Sequence, residues 1–405
     1  MGENKRIKAL AEQASLMPQE ELLAVRKRKD NLTISIPKET SFQENRVALT
    51  PEAVGLLVNN GHRVYVESNA GKNSHFSDND YSEAGAEIVR DRERIFQSEI
   101  VFKVAPPSLE EVKLMGRNQF LFSALQMTLL PKESLEELMR KKITAIAWDY
   151  IKDSDDIYPV VRAMGEIAGN TSVLIASEYL SNANKGQGLM FGGISGVHPI
   201  EVVIIGAGTV GAYATRASLG LGCSVKVFDN SLYKLRRLQN DIGHKLWTST
   251  LQPKILSEAL QQADVAIGAL RAPFGRTPCV VSESMIEKMP QGSVVVDVSI
   301  DQGGVFETSR ITNHDHPVFE EHDVIHYCVP NVASRVSKTA SYALSNIFAP
   351  ILIEMGNEGG VDKIIKTDHG FREGVYMFKG CVTNSIIGDT FNLPCKDLNL
   401  LVGAI

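Results

Sequence analysis

The sequence lacks the features that mark a disulfide-linked, membrane-spanning or nucleic-acid-binding chain. Its five cysteines in 405 residues are scattered and form no C-x-x-C pair, so neither a disulfide framework nor a thiolate zinc site is indicated. No apolar run is long enough to span a bilayer. The net charge is −6, and the one short basic run lies at Arg26 to Lys29. A nucleic-acid partner is therefore not expected.

Motifs for metal binding, hydrolysis and targeting are also missing. The nine histidines form no H-E-x-x-H pair, and the run His314-Asp315-His316 is more typical of a polar turn, so no metal is predicted. The segment Gly193-Ile194-Ser195-Gly196 is too short for a nucleophile elbow. The first residues carry mixed charge and no apolar h-region, so we expect a cytoplasmic location.

What the sequence does contain is the pattern of a folded α/β protein. Hydrophobic residues make up 43% of the chain and charged residues 22%, which is ordinary for a globular protein. The length suits two domains with a cleft between them. Residues 1–30 predict an amphipathic helical extension. From Leu32 onward, strand-like and helical runs alternate, which predicts two doubly wound, Rossmann-like parallel sheets covered by helices.

Two series of alternating elements are visible. The first predicts strands at 32–37, 63–67, 100–104, 120–124 and 143–148, and helices at 51–60, 81–89, 110–115 and 131–142. A long helix at 162–180 then connects the domains. The second predicts strands at 201–205, 224–228, 264–269, 293–298 and 324–328, and helices at 209–220 and 231–240. A helical stretch from Ser337 to Met355 and a tail follow, and we expect the tail to pack on the first domain.

The strongest local signal is a glycine-rich turn between a strand and a helix. It follows the apolar strand Val202 to Ile205 and consists of Gly206, Ala207, Gly208, Thr209, Val210 and Gly211. In a G-x-G-x-x-G turn the first glycine permits the tight turn, the second lets the backbone approach a pyrophosphate, and the third lets the helix pack on the strand. The helix N-terminus adds partial positive charge. The turn predicts a dinucleotide site.

An acidic residue at the end of the next strand strengthens this prediction. Asp229 follows the strand Val225 to Phe228, at the spacing of the dinucleotide fingerprint. A carboxylate there accepts the ribose hydroxyls and repels a 2′-phosphate, so NAD is preferred over NADP, although Lys234 follows closely. Further cofactor contacts are predicted at Asn230, Lys234, Ala269, Leu270, Val298 and Asp301. The domains are accordingly predicted as 161–337 for NAD and 31–160 with 338–405 for the substrate.

Three charged residues lie beside predicted strand ends, where open α/β sheets bind ligands. Arg46 is in the loop after the first strand, Lys103 ends the strand that begins at Ile100, and Asp301 follows the strand Val294 to Val298. An arginine and a lysine suit the anchoring of a small carboxylate, and an aspartate near the cofactor suits proton or ammonium handling. From chemistry alone, solvated surface cations and a turn aspartate remain the alternatives.

Several segments together resemble a known family. They are P-K-E, E-N-R-V-A-L-T-P, K-V-A-P-P, G-E-I-A-G, G-G-I-S-G-V, V-V-I-I-G-A-G-T-V-G, V-D-V-S-I-D-Q-G-G, H-Y-C-V-P-N and T-A-S-Y-A-L-S-N. In order and spacing they are similar to alanine dehydrogenases and to the nucleotide-binding subunit of proton-translocating transhydrogenases, from about residue 32 onward. The transhydrogenase subunit carries an Arg-Gln-Asp loop that is absent where Arg162 to Glu166 stands.

The resemblance implies NAD-dependent oxidative deamination of L-alanine to pyruvate and ammonium, and the reverse reaction, in a homo-oligomer, hexamer or dimer. It implies that Arg46 and Lys103 hold the substrate carboxylate and carbonyl, that Asp301 serves the acid–base steps, with Lys103 as a further catalytic group, and that Asn331 borders the cleft. Closure of the domains would exclude water, and the segment Ile194 to Pro199 is a candidate hinge.

Three positions depart from the family pattern. Gln126 stands where the family has a proton-transferring histidine, Gly165 where it has a serine, and Asp149 where a glutamate is common. Glutamine orients a water or a substrate oxygen but does not titrate, so proton transfer would fall to Asp301, Lys103 or water. The alternatives are therefore an amino-acid dehydrogenase of changed substrate, or an NAD-binding protein with weak or no catalysis.

Overall fold

Two sheets with helices packed on their faces form the protein. The computed structural model describes residues 31–126, 130–272 and 276–403. The predicted extension at 1–30 lies outside the described residues. Within them, no helix is both long and apolar enough to cross a membrane.

The strands of the described residues are, in chain order, β1 (Thr33–Ile36), β2 (Arg63–Glu67), β3 (Glu87–Val89), β4 (Ile100–Phe102), β5 (Phe120–Ser123), β6 (Thr144–Ala147), β7 (Glu201–Ile205), β8 (Ser224–Phe228), β9 (Trp247–Ser249), β10 (Val265–Gly268), β11 (Val294–Asp297), β12 (Val318–Glu321), β13 (Val324–Tyr327), β14 (Val375–Phe378) and β15 (Cys381–Val382). The first sheet has the order β15-β14-β6-β5-β4-β1-β2-β3, and the second β12-β13-β11-β10-β7-β8-β9. Both are parallel except at β14, β15 and β12.

The α-helices of the same residues are α1 (Pro51–Asn59), α2 (Asp78–Glu83), α3 (Arg92–Phe96), α4 (Leu109–Leu114), α5 (Lys132–Arg140), α6 (Pro159–Leu180), α7 (Thr209–Gly220), α8 (Leu232–Ile242), α9 (Pro253–Leu260), α10 (Glu283–Ile286), α11 (Ser337–Glu358), α12 (Val361–Thr367), α13 (His369–Arg372), α14 (Ser385–Phe391) and α15 (Leu398–Gly403). The doubly wound α/β prediction is thus confirmed.

Each sheet is covered on both faces, because its central strands are apolar at successive positions. In β4, Ile100 and Phe102 face one cluster of buried side chains and Val101 faces another. In β7, Val202 and Ile204 divide in the same way from Val203 and Ile205. Such continuous burial is typical of parallel strands between two helical layers. It explains why the sequence revealed these strands clearly.

Both sheets change winding direction at an inner strand. In the first sheet β1 pairs with β2 on one side and with β4 on the other. In the second, β7 pairs with β8 and with β10. A crevice opens at the carboxyl ends of the strands at such a point, and ligands of open α/β sheets bind there. The sites sought below therefore lie after β1, β4, β7 and β10.

Some predicted elements are wrong in type or extent. The helix predicted at 81–89 ends at Glu83, because Gly85 adopts φ +92°, and the residues beyond it form β3, paired in parallel with β2. The helix predicted from 162 begins earlier, at Pro159, since proline fits the first helical turn. The short strands β9, β12, β14 and β15 were not predicted.

The first sheet combines two distant parts of the chain. Its parallel strands come from residues 33–147, and the tail returns to add β14 antiparallel to β6 and β15 antiparallel to β14. The second sheet uses residues 201–327. The long helices α6 and α11 contact each other. The domain limits 31–160 with 338–405, and 161–337, stay a prediction.

Candidate functional site

The glycine turn lies at the carboxyl end of β7, and two of its glycines are required by close packing. Gly206 has φ +121°, in the region that favours glycine. A β-carbon on Gly206 would overlap the carbonyl oxygen of Ala269, and one on Gly211 would overlap the carbonyl oxygen of Gly206. These contacts bring α7 close to β7 and fix the turn.

The middle glycine has a different environment. A β-carbon on Gly208 would meet no atom within 4 Å, so the protein itself does not require glycine there. Gly208 is the N-cap residue of α7, and within the described residues this helix start has no side-chain cap hydrogen bond. An open space in front of free N–H groups at a helix N-terminus suits a phosphate. This fits the pyrophosphate of NAD.

Asp229 is buried at the end of β8 and ties the turn to that strand. Its Oδ2 accepts a hydrogen bond from the Ala207 N–H at 2.8 Å, and its Oδ1 accepts one from the Ser231 N–H at 2.7 Å. A carboxylate oxygen accepts more than one hydrogen bond, so both retain capacity for ribose hydroxyls. The residues present therefore fit the adenosine end of NAD.

Of the other predicted cofactor residues, some hold the start of α8 and the rest lie beside the glycine turn. Asn230 uses its Oδ1 to accept a hydrogen bond from the Leu251 N–H at 3.0 Å, and the Lys234 N–H donates to the helix-capping Ser231 hydroxyl at 3.3 Å. Both contacts hold the start of α8. Ala269, Leu270 and Val298 follow β10 and β11, at the carboxyl edge beside the turn.

Asp301 lies in a 3₁₀ turn, Val298–Gln302, that follows β11. Its side chain is open to the cleft yet surrounded by protein, and this desolvation raises the pKa of its carboxyl. The Asn331 N–H and the charge of Arg46 act in the opposite direction. Asn331 has φ 55° and donates its N–H to Asp301 Oδ1 at 3.1 Å. Asparagine is one of the few residues that tolerate this left-handed conformation.

Arg46 is buried, and its partner was not predicted. Its Nε and Nη2 donate to Glu44 Oε1 and Oε2 at 2.8 and 2.6 Å, a bidentate pair. Its Nη1 faces Met164 Sδ at 3.4 Å, which is a weak acceptor. The guanidinium is therefore held in place by Glu44, and Nη1 keeps donors for a stronger acceptor.

One chain of contacts connects the two sheets at the cleft. Glu44 Oε2 also accepts a hydrogen bond from Asn331 Nδ2 at 2.9 Å, while the Asn331 N–H binds Asp301. Arg46, Glu44, Asn331 and Asp301 thus form a continuous path from the loop after β1 to the loop after β11. The structure brings together three of the predicted site residues, joined by a glutamate that was not predicted.

Lys103 is fully buried at the end of β4, between two carboxylates. Its Nζ lies 3.0 Å from Glu111 Oε2 and 3.4 Å from Glu39 Oε2. Burial alone would lower the pKa of this ammonium, but the charges of Glu39 and Glu111 outweigh burial and raise the pKa. Lys103 therefore stays charged, which suits a cation that binds an anionic or carbonyl oxygen better than a base.

The two carboxylates around Lys103 differ in environment. Burial raises the pKa of Glu39, although Lys103 and the Val104 N–H oppose it. The pKa of Glu111 is lowered: burial opposes this, and Lys103 together with hydrogen bonds from Ser108 and other donors outweighs it. Glu39 is thus the carboxylate of this pair that protonates first. Neither carboxylate was predicted as a site residue. In the sequence, Glu39 could have been found from its position in the P-K-E segment, and Glu111 from its S-x-x-E capping box.

Gln126 follows β5 by three residues and so lies at the same edge as Lys103. The preceding Leu125 N–H donates to Asp149 Oδ1 at 2.9 Å, and burial raises the pKa of Asp149. Asp149, which stands where a glutamate is common, therefore fixes the backbone that leads to Gln126. Residues 127–129 lie outside the described residues.

Gly165 lies on α6 against the first turn of α7. A β-carbon there would lie 3.4 Å from two carbon atoms of Thr209, an ordinary contact, so packing does not require glycine at this position. Gly169 differs, since its β-carbon would overlap the carbonyl oxygen of Val210. The missing side chain at 165 leaves space beside the nucleotide turn.

Comparisons with known proteins identify the family of the chain. A family model described as "Alanine dehydrogenase/PNT, N-terminal domain" matches residues 35–168, and its C-terminal counterpart matches residues 172–385. The alanine dehydrogenase of Methanococcus maripaludis is 37% identical over 366 residues, 90% of this chain and 97% of its own length. The alanine dehydrogenase of Bacillus subtilis is 38% identical over 353 residues, 87% of this chain and 93% of its own.

Solved structures of similar proteins were also found. An L-alanine dehydrogenase superposes with a TM-score of 0.84 at 35% identity, covering 89% of this chain and 99% of that one. A transhydrogenase from Sinorhizobium meliloti superposes at 0.74 with 22% identity, covering 87% of this chain and all of its own, and this shows a shared fold. With both domain models matched and relatives of this identity along most of its length, the chain belongs to the alanine dehydrogenase/PNT family.

Proposed function

We propose that this chain catalyses the reversible, NAD-dependent oxidative deamination of L-alanine to pyruvate and ammonium. The observation that supports this most directly is the path Arg46–Glu44–Asn331–Asp301, which joins a cation suited to a small carboxylate with an acid beside the nucleotide turn. The relatives named alanine dehydrogenase support the same substrate.

Arg46 and Lys103 would bind the substrate. Arg46 would donate from Nη1 to the alanine carboxylate while Glu44 holds the guanidinium plane. Lys103, kept charged by Glu39 and Glu111, would hold an oxygen of the substrate or product. Because both cations are buried and fixed by carboxylates, little side-chain entropy would be lost when the substrate binds.

Asp301 would perform the proton transfer. NAD, when bound, supplies the hydride acceptor for the substrate α-carbon. Asp301 would take a proton from the ammonium group before that step and release it to solvent. It would then take a proton from the water that attacks the resulting iminium and return it to the amine nitrogen, which leaves and carries the hydroxyl proton away as ammonium while the carbonyl of pyruvate forms. A pKa raised above 3.8 moves this carboxylate toward the working pH, where a general base is most effective. Gln126 would orient the attacking water, and Asn331 would keep Asp301 in position.

A second function has a specific observation in its favour. Gln126 replaces a titrating residue, and Lys103 is paired with two carboxylates, so neither offers a base at neutral pH. An enzyme in which Asp301 alone moves protons would act slowly on alanine, or would act on another small amino acid. The extreme form of this alternative is a protein that binds NAD but catalyses weakly or not at all.

We also propose a homo-oligomer in the cytoplasm. Apolar side chains such as Met190, Ile194 and Val197 are more than half exposed, and large exposed apolar groups are typical of contact surfaces. All five cysteines are free thiols, which fits a reducing compartment.

The test is the initial rate of NADH oxidation with ammonium and a panel of 2-oxo acids, with pyruvate, glyoxylate, 2-oxobutyrate and 2-oxoglutarate compared. A rate that is highest with pyruvate supports alanine as the substrate. Gln126→His is measured beside the wild type, with Gln126→Asn as the non-titrating control. A rate only in the histidine variant favours the weakly catalytic alternative, and a higher rate with another acid identifies a changed substrate.

A further inference from the structure

A cluster of metal-ligating side chains lies away from the proposed catalytic site. The antiparallel strands β12 and β13 form a hairpin whose turn is His322-Asp323. The turn precedes β13, which runs parallel to β11, so it lies at the amino edge of the second sheet. The nucleotide turn and Asp301 are at the opposite, carboxyl edge. The short helix α10 packs beside this turn and presents Glu283 to it.

Three side chains here offer one ligand atom each within a small volume. The carboxylates of Glu283 and Glu321 and the imidazole of His322 place these atoms within 4.8 Å of one another. His322 Nε2 lies 2.8 Å from Glu283 Oε1, and Glu287 Oε1 lies 3.9 Å from the same nitrogen. Among the residues that the structure describes, no other such group of three is found.

The chemistry of this set favours a borderline divalent cation. One imidazole nitrogen with carboxylate oxygens is a donor set used for Zn²⁺, whereas Mg²⁺ and Ca²⁺ prefer oxygen donors alone. At metal–ligand distances of about 2.0–2.1 Å, tetrahedral ligand atoms lie roughly 3.3 Å apart. Closing the cluster needs movements of about 1 Å, which surface glutamates make by rotating their side chains. The site is open to solvent, so an ion has a path of entry.

We propose that Glu283, Glu321 and His322 form a binding site for a first-row divalent cation, best met by Zn²⁺. Glu287 is close enough to become a fourth ligand, and water completes the coordination. The bound ion ties α10 to the β12–β13 hairpin and stabilises this edge of the second sheet. Because the cluster and the nucleotide turn are at opposite edges, the ion takes no part in hydride transfer. Glu283 is far in the sequence from the adjacent Glu321 and His322, so spacing rules for metal motifs do not reveal the group.

Three variants test the site, and one of them is a matched control. Glu283→Gln removes a ligand and keeps the size of the side chain. His322→Asn removes the imidazole at a position with φ 53°, a conformation that asparagine tolerates. Glu320→Gln removes the same charge as a ligand variant, but Glu320 neighbours Glu321 in β12 and so points to the other face of the hairpin. There it pairs with Lys185 at 3.6 Å.

Zinc bound per chain is measured by equilibrium dialysis of the purified full-length proteins, together with the thermal unfolding midpoint with and without Zn²⁺. We expect the wild type and Glu320→Gln to hold one more zinc ion per chain than the other two variants. We also expect zinc, but not Mg²⁺, to raise their midpoints by about 2 °C or more. Any zinc bound by exposed thiols is common to all four proteins and cancels.

Equal zinc content in the wild type and both ligand variants overturns the proposal, as does a wild type that takes up no zinc. Loss of zinc from Glu320→Gln as well as from the ligand variants also overturns it, because general negative charge would then be the cause. The NADH-binding affinity of every variant is measured in parallel and should equal that of the wild type, which shows that the second sheet is folded.

Discussion

The carboxyl edges of the two sheets lie across the same cleft but are built differently. At the carboxyl edge of the second sheet (the second edge), the proposed cofactor site consists of backbone: a glycine turn, the amides at the start of α7 and one buried aspartate, Asp229. At that of the first sheet (the first edge), the proposed substrate site consists of buried ion pairs, in which Arg46 is held by Glu44 and Lys103 by Glu39 and Glu111. A cofactor with fixed structure suits a fixed backbone cradle. A small charged substrate needs cations whose own charge is balanced before it arrives.

Because of this difference, the stability of the folded state depends more strongly on the charged residues of the first edge. A buried charge without a partner costs several kcal/mol, whereas a complete pair is close to neutral for stability. The first edge is therefore sensitive to the removal of any one member. The second edge contacts its ligand mainly through the backbone, so substitutions there, apart from Asp301, act on cofactor binding or on packing. The predictions below test this contrast, from the largest effect to the smallest.

Asp301→Asn should have the largest effect on catalysis. Asparagine keeps the shape and the contact with the Asn331 N–H, but it does not take up a proton. We expect kcat to fall by about 10²–10⁴-fold, with NADH binding unchanged. In the wild type, kcat/KM should decline as the pH falls through a pKa that is raised above 3.8, because the base is then protonated. An unchanged kcat in the variant would remove Asp301 from the mechanism.

Lys103→Met should have the largest effect on stability. The substitution keeps an unbranched apolar side chain but leaves Glu39 buried without a cation and Glu111 with Arg92 as its cationic partner. We expect the free energy of unfolding to fall by about 3–5 kcal/mol, measured by urea denaturation. Lys113→Met is the control: it breaks an exposed pair with Glu110 and should cost less than about 1 kcal/mol. Equal losses in the two variants would contradict the buried network.

Glu44 should give the first edge a distinctive pH dependence. Burial opposes ionisation of Glu44, but Arg46 outweighs it and lowers the pKa below 4.5. A depressed pKa stabilises the folded state above the pKa of the unfolded chain, and this stabilisation is lost as the pH falls through the folded value. The stability difference between the wild type and Glu44→Gln should therefore shrink below about pH 4.5. A difference that stays constant as the pH falls would contradict the pairing of Glu44 with Arg46.

Gly165→Ser should have the smallest effect. A β-carbon at 165 makes ordinary contacts with Thr209, so the serine fits and its side chain would lie beside Thr209 of the nucleotide turn. One added hydrogen bond is worth about 0.5–1.5 kcal/mol, so we expect the Kd of NADH to fall by about 2- to 10-fold. Gly165→Ala, which adds the carbon without the hydroxyl, should leave the Kd unchanged. A weaker Kd in both variants would show that the space is needed for NADH itself.

The sequence predicted the parts of the molecule whose causes are local. β4 and β10 are apolar throughout, and β7 is apolar after Glu201, because both faces of these strands are buried. The glycine turn was visible because each close approach of the backbone requires glycine at a fixed spacing. The helix predicted at 81–89 was wrong, since the conformation of Gly85 ends the helix and the partner strand β2 decides the state of Glu87–Val89.

The charged partners at the first edge depend on contacts that the sequence does not encode locally. Lys103 meets Glu39 because β1 and β4 are neighbours in the sheet, although many residues separate them in the chain. Arg46 and Glu44 are close in sequence, but Glu44 also accepts a hydrogen bond from Asn331 on the other side of the cleft. Strands such as β14 and β15 were missed because they are short and have their neighbours far away in the chain.

The division between a backbone cradle and a side-chain anchor is tested most directly by one steady-state comparison of two variants. Gly208→Ala places a methyl group in the open space before α7, and Arg46→Lys removes the planar guanidinium held by Glu44. KM is measured for NAD and for L-alanine in both. The account predicts that Gly208→Ala raises the KM for NAD by about 10-fold or more and leaves that for L-alanine nearly unchanged, and that Arg46→Lys does the reverse. If both substitutions raise the two constants equally, the two edges do not bind separate ligands and the account is wrong.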